Sequence, residues 1–160
     1  MAVSAILLKT ATKQLFTQTL ASLAASSTGT GRQATMVANA GSYPAAMVYL
    51  AIMSGATPPT LNTVYEVYLL RGDDASASTY RTDAAGAADA GIVIENAVLL
   101  GTIKVTATAN KKFYGEFDTK PLGPLGPEWG IAIVNNSGQA LNPTEANHFK
   151  GYVPYNDESQ

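Results

Sequence analysis

His148 is the single histidine of a chain that contains no cysteine, so nucleophilic, redox and metal-binding chemistry has few side chains to start from. A catalytic histidine needs a nucleophile in reach and an acid to orient its ring. No Gly-x-Ser-x-Gly elbow is present, no second histidine completes a metal pair, and His148 stands between Asn147 and Phe149 at the start of an expected strand. A structural place fits it better. Hydrolysis by paired carboxylates would require two acids facing across a cleft, yet Asp73, Asp74, Asp83, Asp89, Asp157 and Glu158 fall in loops or in the tail. Calcium accepts oxygen ligands from such loops, but these acids lack the every-second-residue spacing of a compact calcium loop. The residues predict no catalytic group, no metal and no cofactor.

Three short motifs read as structure rather than chemistry. Arg71-Gly72-Asp73 matches an integrin-binding triplet and reads more simply as a strand end followed by a turn. Asn135-Asn136-Ser137 satisfies the glycosylation pattern, which has meaning only on a eukaryotic secretory route. No secretion signal is expected, because no basic residue precedes the apolar Ala2-Val3-Ser4-Ala5-Ile6-Leu7-Leu8, and Lys9 and Lys13 interrupt the apolar core that such a signal needs. Gly29 and Gly31 lack the lysine and the strand-to-helix context of a phosphate loop.

The eight tyrosines are the better lead. Tyrosine joins a large apolar body to a hydroxyl that tolerates partial solvation, which suits interfaces. Tyr43, Tyr49, Tyr65, Tyr68, Tyr80, Tyr114, Tyr152 and Tyr155 are divided between core and surface, and strand alternation turns Tyr68 and Tyr114 outward. These two are the expected partner contacts among the tyrosines.

The elements that must position these residues are short strands. Thr102 to Ala109 alternates, with Ile103, Val105 and Ala107 on one side; Lys112 to Phe117 turns Phe113 and Phe117 inward. With Asn110-Lys111 between them the two are expected to form a hairpin. Thr63 to Leu70 sets Tyr65, Val67 and Leu69 against Val64, Glu66 and Tyr68; Ala45 to Met53 is apolar on both faces and reads as a central strand. Gln33 to Asn39, Trp129 to Asn135 and His148 to Tyr155 complete about seven or eight strands. That count predicts an all-β antiparallel sandwich, jelly-roll-like in order.

Residues 1–31 read as an N-terminal arm and 32–160 as the sandwich domain. Lys13 to Ala25 has a spacing compatible with one helical face, although an extended arm is nearly as well supported, and Ser26 to Gly31 is a linker by composition. The arm offers Leu15 and Phe16 to a neighbour, and its deletion is expected to weaken attachment while the sandwich still folds. Gly72 to Gly91 reads as a mobile surface excursion. Lys120 to Pro127 holds three prolines, stays extended, and can present Leu122 and Leu125 to a partner.

Composition limits the partners. With 10 basic against 12 acidic residues and a net charge of −2, the chain lacks the clustered cations that nucleic acid requires. No apolar run approaches the roughly 20 residues of a membrane span. Charged residues are only 14% of the chain, against about 25% in typical soluble domains. A surface so poor in charge suits one given over to neighbours.

The block Leu122-Gly123-Pro124-Leu125-Gly126-Pro127-Glu128-Trp129-Gly130-Ile131-Ala132-Ile133-Val134-Asn135-Asn136-Ser137-Gly138-Gln139-Ala140-Leu141, after a polar arm and an Ala/Gly/Asp-rich loop, resembles the penultimate strand and Asn-rich turn of small sandwich-type cement or decoration proteins of tailed-bacteriophage capsids. The resemblance covers the C-terminal two-thirds of the chain loosely. It implies a non-enzymatic virion protein on the capsid surface, assembled in the host bacterial cytoplasm, that binds the major capsid protein, often as a trimer. No contact residue transfers with it. The alternative is a carbohydrate- or receptor-binding sandwich of a tail fibre or tailspike.

Overall fold

The computed structural model of the chain describes residues 6–73, 82, 83, 86 and 88–159. Eleven strands run through it: β1 (Ile6–Thr10), β2 (Gln14–Leu15), β3 (Thr30–Gln33), β4 (Val37–Ala38), β5 (Ala45–Met53), β6 (Val64–Gly72), β7 (Ala90–Val93), β8 (Val98–Lys104), β9 (Lys112–Asp118), β10 (Glu128–Asn135) and β11 (Phe149–Ser159). They form two antiparallel sheets. The first has the order β1-β11-β5-β9, with β2 also on β11; the second has the order β7-β3-β10-β6-β8, with β4 also on β10. No α-helix occurs among the described residues, so none is long and apolar enough to cross a membrane.

The pairing runs the first half of the chain against the second in reverse order. β1 and β2 pair with β11, β3 and β4 with β10, β5 with β9, and β6 with β8. The chain is thus one long antiparallel ribbon folded over into two layers, all-β as expected.

Alternation explains which face each strand buries. In β6, Tyr65, Val67 and Leu69 are fully buried between the sheets while Val64, Glu66 and Tyr68 remain half-exposed. β10 is buried on both faces. Its Trp129, Ile131 and Ile133 enter the core, where Trp129 meets Phe16 and Tyr152 edge-on at centroid distances of 5.3 and 4.9 Å. Its Ala132 lies under a second cluster with Met36, Leu70 and Ile92. Each fully buried aliphatic or aromatic side chain contributes about 1.5–3 kcal/mol, so the inner layer carries most of the stability.

Four expectations change. Strands β8 and β9 are not a hairpin: β8 pairs with β6 in the second sheet and β9 with β5 in the first, so residues 105–111 cross between layers. Alternation fixes faces but not partners, and both strands found longer partners elsewhere. Second, Lys13 to Ala25 is not helical. After β2, Phe16, Gln18 and Leu20 are buried while Thr17 and Thr19 are exposed, a period of two that suits β-branched threonines. Third, part of the expected arm belongs to the sandwich, because Phe16 and Leu20 are core residues and β1 and β2 extend the first sheet. Fourth, the described part of the Gly72 to Gly91 excursion is tied down. Thr82 exchanges two hydrogen bonds with the backbone of Arg71, and Gln33 Nε2 donates to the carbonyls of Gly86 and Ala88. Residues 1–5, Asp74 and Tyr80 lie outside the described residues.

Candidate functional site

The polar side chains singled out in the sequence hold the fold together. Arg71 directs its guanidinium at the proline loop, with Nε donating to Pro124 O and Nη2 to Leu122 O and Gly123 O at 2.9, 2.7 and 3.2 Å. The triplet it begins is therefore not presented as a loop tip. Asn135 is fully buried; its amide donates to Leu23 O and Gln139 O and its Oδ1 accepts from the N–H and hydroxyl of Ser137. A glycan could not reach it. His148 is buried with Nδ1 accepting from Met53 N–H and Nε2 on Asn142 O.

The loop acids also have structural partners. Asp89 takes hydrogen bonds from Arg32 Nε and from both the N–H and the hydroxyl of Thr19. Burial alone would raise its pKa, but these donors hold it below the ordinary aspartate value. Asp83 accepts from the backbone N–H groups of Glu95, Asn96 and Ala97, which outweigh the same burial effect. Glu145 takes the N–H groups of Leu20 and Ala21, each at 2.7 Å, and the ammonium of Lys150. No group of three His, Cys, Asp or Glu suited to a metal occurs among the described residues.

What remains is a surface, and the two outer faces differ. The outer face of the second sheet is closed at its centre, where Leu70 and Ala132 are fully buried and Ile92 and Met36 nearly so, and exposes Leu99 at its β8 edge. The outer face of the first sheet is open. Cross-strand register arranges it in rows, because residues paired across strands share a face. One row is Phe149, Ala51, Tyr114; the next is Leu15, Gly151, Tyr49, Glu116; a third is Val153, Met47, Asp118.

Small residues between large ones give this face relief. Ala51 lies between Phe149 and Tyr114, so two aromatic side chains wall a trough that it floors. The trough has a volume of about 580 Å³, with Tyr49, Lys112 and Glu116 on its rim. Gly151 lets the Phe149 ring lie over the strand, since a Cβ there would sit 2.8 Å from Phe149 Cζ. Lys13 Nζ stands 5.3 Å from the same ring's centroid, within cation–π range. The arrangement can hold a flat or ring-shaped group between aromatic walls and offer it a cation and an anion at the rim.

The six expected contact residues divide three ways. Leu15 and Tyr114, 64% and 74% exposed, stand on this open face. Tyr68 and Leu122 are half-buried, Tyr68 against the second cluster with its hydroxyl donating to Glu66. Burial, with Glu66 beside it, raises the Tyr68 pKa to about 12. Phe16 and Leu125 are core side chains, 4% and 0% exposed, and present nothing to a partner. The register adds two residues to the face that alternation alone did not single out, Tyr49 and Phe149. The spacing Phe149-x-Gly151 was the available signal, because a glycine two places along a strand frees the surface its neighbour then covers. Trp129, at 1% exposure, cannot stack on a ligand.

Compared with family models, with curated proteins and with solved structures, the chain matches none.

Proposed function

We propose that this chain is a non-enzymatic attachment protein that binds through the open outer face of its first sheet, and that its partner is a capsid surface built from a major capsid protein. The observation that carries the reading is the contrast between the two outer faces. One buries its apolar centre and exposes only Leu99 among its large apolar residues, at the β8 edge, while the other exposes Leu15 and Tyr114 beside half-exposed Tyr49, Phe149, Met47 and Val153. Contiguous apolar surface rimmed by charge is a mark of interaction sites. The resemblance to phage decoration proteins supports the partner and a place on the virion surface. The folded-over ribbon, pairing first strands with last, supports a jelly-roll winding, a sandwich used by viral capsid and lectin domains.

Co-sedimentation with capsids lacking the protein tests this reading. Wild type is expected to pellet with the particles, and Tyr114→Ala is expected to weaken binding about tenfold or more, as for an aromatic anchor. Failure to pellet with any capsid would remove the proposed partner.

The trough favours a second reading, a glycan-binding face. The strands carrying Phe149 and Tyr114 stand about 10 Å apart, which leaves room for one sugar ring touching both walls at about 3.5–4.0 Å. Binding on a glycan array, lost in Tyr114→Ala and Phe149→Ala, would select this reading over the first.

A further inference from the structure

We propose that β9 is a self-complementary edge through which two copies of this chain join, antiparallel and centred on Gly115. Such pairing does not depend on what the outer face binds. β9 is the last strand of the first sheet, and among the described residues nothing pairs with its free edge. Exposed edges invite pairing with another chain, and proteins blunt them with bulges, prolines, short strands or unmatched charge. The other edges here carry such devices. The β6–β8 ladder is bulged at Val67/Tyr68, β7 has four residues, and the β1 and β2 edge is broken into pieces of five and two. β9 runs seven residues in unbroken register with β5 and contains no proline.

Its charges are matched to a second copy. The strand reads Lys112-Phe113-Tyr114-Gly115-Glu116-Phe117-Asp118. A two-fold axis at Gly115 sets Lys112 of each copy opposite Asp118 of the other and diagonal to Glu116, and sets Tyr114 opposite Glu116. Opposite charges across an antiparallel pair attract, and like charges repel. Faces match as well, since Phe113 falls opposite Phe117 on the side toward the core and the polar residues share the outer side. Moving the axis to Glu116 would oppose two carboxylates and set Lys112 against Lys120, which charge disfavours. Moving it to Tyr114 would keep Lys112 opposite Glu116 but leave Phe117 and Asp118 outside the paired strand residues, so the Gly115 register matches the most of the strand. The flank adds apolar area: β8 lies above β9, joined to it through the Phe117 ring against Gly101, and exposes Val98 and Leu99 by 39% and 46%. Seven paired residues make a small interface, so association is expected to depend on concentration and to weaken with salt.

Pairing would set the outer faces of two copies side by side as one surface, doubling the contacts available to any target. It also gives a two-fold dimer, where the phage resemblance implies a trimer.

The absence of native cysteine makes the register testable. Tyr114→Cys and Glu116→Cys are made as separate proteins, mixed, and mildly oxidised. In the proposed register the two cysteines face one another at about 4.5–5.5 Å between Cβ atoms, within reach of a disulfide, so the mixture should give a covalent dimer well above either protein alone. In parallel, light scattering should give a mass that rises toward twice the single chain with concentration. Lys112→Glu should shift the midpoint at least tenfold upward while its melting temperature stays that of wild type. A concentration-independent monomer, a trimer, cross-linking of Tyr114→Cys with itself as strong as in the mixture, or a dimer indifferent to Lys112→Glu would each overturn the proposal.

Discussion

His148 sits between two backbone groups that fix its proton. Met53 N–H can only donate and Asn142 O can only accept, so Nδ1 is bare, Nε2 carries the hydrogen, and the ring is neutral. Burial lowers its pKa first of all, and the cations of Lys150 and Lys112 act in the same direction, against Asn142 O and Glu145. An unfolded chain would titrate near the ordinary value of 6.5. Below that pH the unfolded state binds more protons than the folded one, so stability is complete above it and is lost as pH falls toward the lower folded value. The lowered carboxylates Asp83, Asp89 and Glu145 act further down, because their contribution persists until pH falls through their ordinary values of 3.8 and 4.5. Calorimetry should find a lower melting temperature at about pH 5.5 than at about pH 7.5, and His148→Gln should flatten that interval. An unchanged slope in the variant would show that another group titrates there. The sequence made His148 structural by elimination; that its environment keeps it neutral came only with Met53 and Asn142, distant or irregular in sequence.

At the scale of elements, the edge of the sandwich is held by one ring over two glycines. A Cβ on Gly101 of β8 would lie 2.4 Å from Phe117, and one on Gly115 of β9 would lie 2.6 Å from the same ring and 2.7 Å from Ile103. Phe117 therefore spans both sheets where each ends. Gly101→Ala is expected to cost about 1–3 kcal/mol through overpacking, read as a drop in the denaturant midpoint with an unchanged slope. An equally stable variant would mean that the ring moves aside freely. The existence of most strands was legible, because alternation, apolar runs and turn residues are local properties: β5, β6, β9, β10 and β11 fall close to where they were expected, whereas the alternating Thr102 to Ala109 enters β8 only as far as Lys104. The expected hairpin of β8 and β9 was not recoverable from the same signal, since both strands show inward apolar residues whichever sheet they join. The supposed helix failed for a related reason. Leu15, Phe16, Leu20 and Leu23 fit a helical stripe, but Phe16, Gln18 and Leu20 also fit a strand that buries a glutamine, whose Nε2 donates to Arg32 O. Tertiary partners decided between the two.

For the whole molecule, the segment from Ile6 to Gly31 is built into the two sheets and the core rather than standing off them as an arm. Phe16 and Leu20 lie in the main core, and the segment around them is clamped by Glu145, Lys150 and Asp89. Deleting residues 1–31 is expected to abolish cooperative unfolding, against the folded sandwich anticipated from composition, because losing two large core side chains alone costs several kcal/mol of a total near 5–15. A sharp thermal transition in that truncation would refute the integration of the segment. Low charge and abundant tyrosine led to the expectation of a surface given over to contacts, and composition alone could not say where such a surface would lie. The open face is assembled from β2, β5, β9 and β11, whose residues span the chain from Leu15 to Val153.

Read alone, the residues specify an antiparallel all-β sandwich with a strand, β10, that must be buried, because alternation and turn residues act between near neighbours. Folding in three dimensions was needed to settle which strands share a sheet, that Phe16 and Leu125 are core while Leu15 and Tyr114 face solvent, and that one outer face buries its apolar centre while the other leaves its aromatic rows open. Those outcomes depend on register between strands far apart in the chain, and a shift of one residue would have exchanged every inward side chain for its outward neighbour.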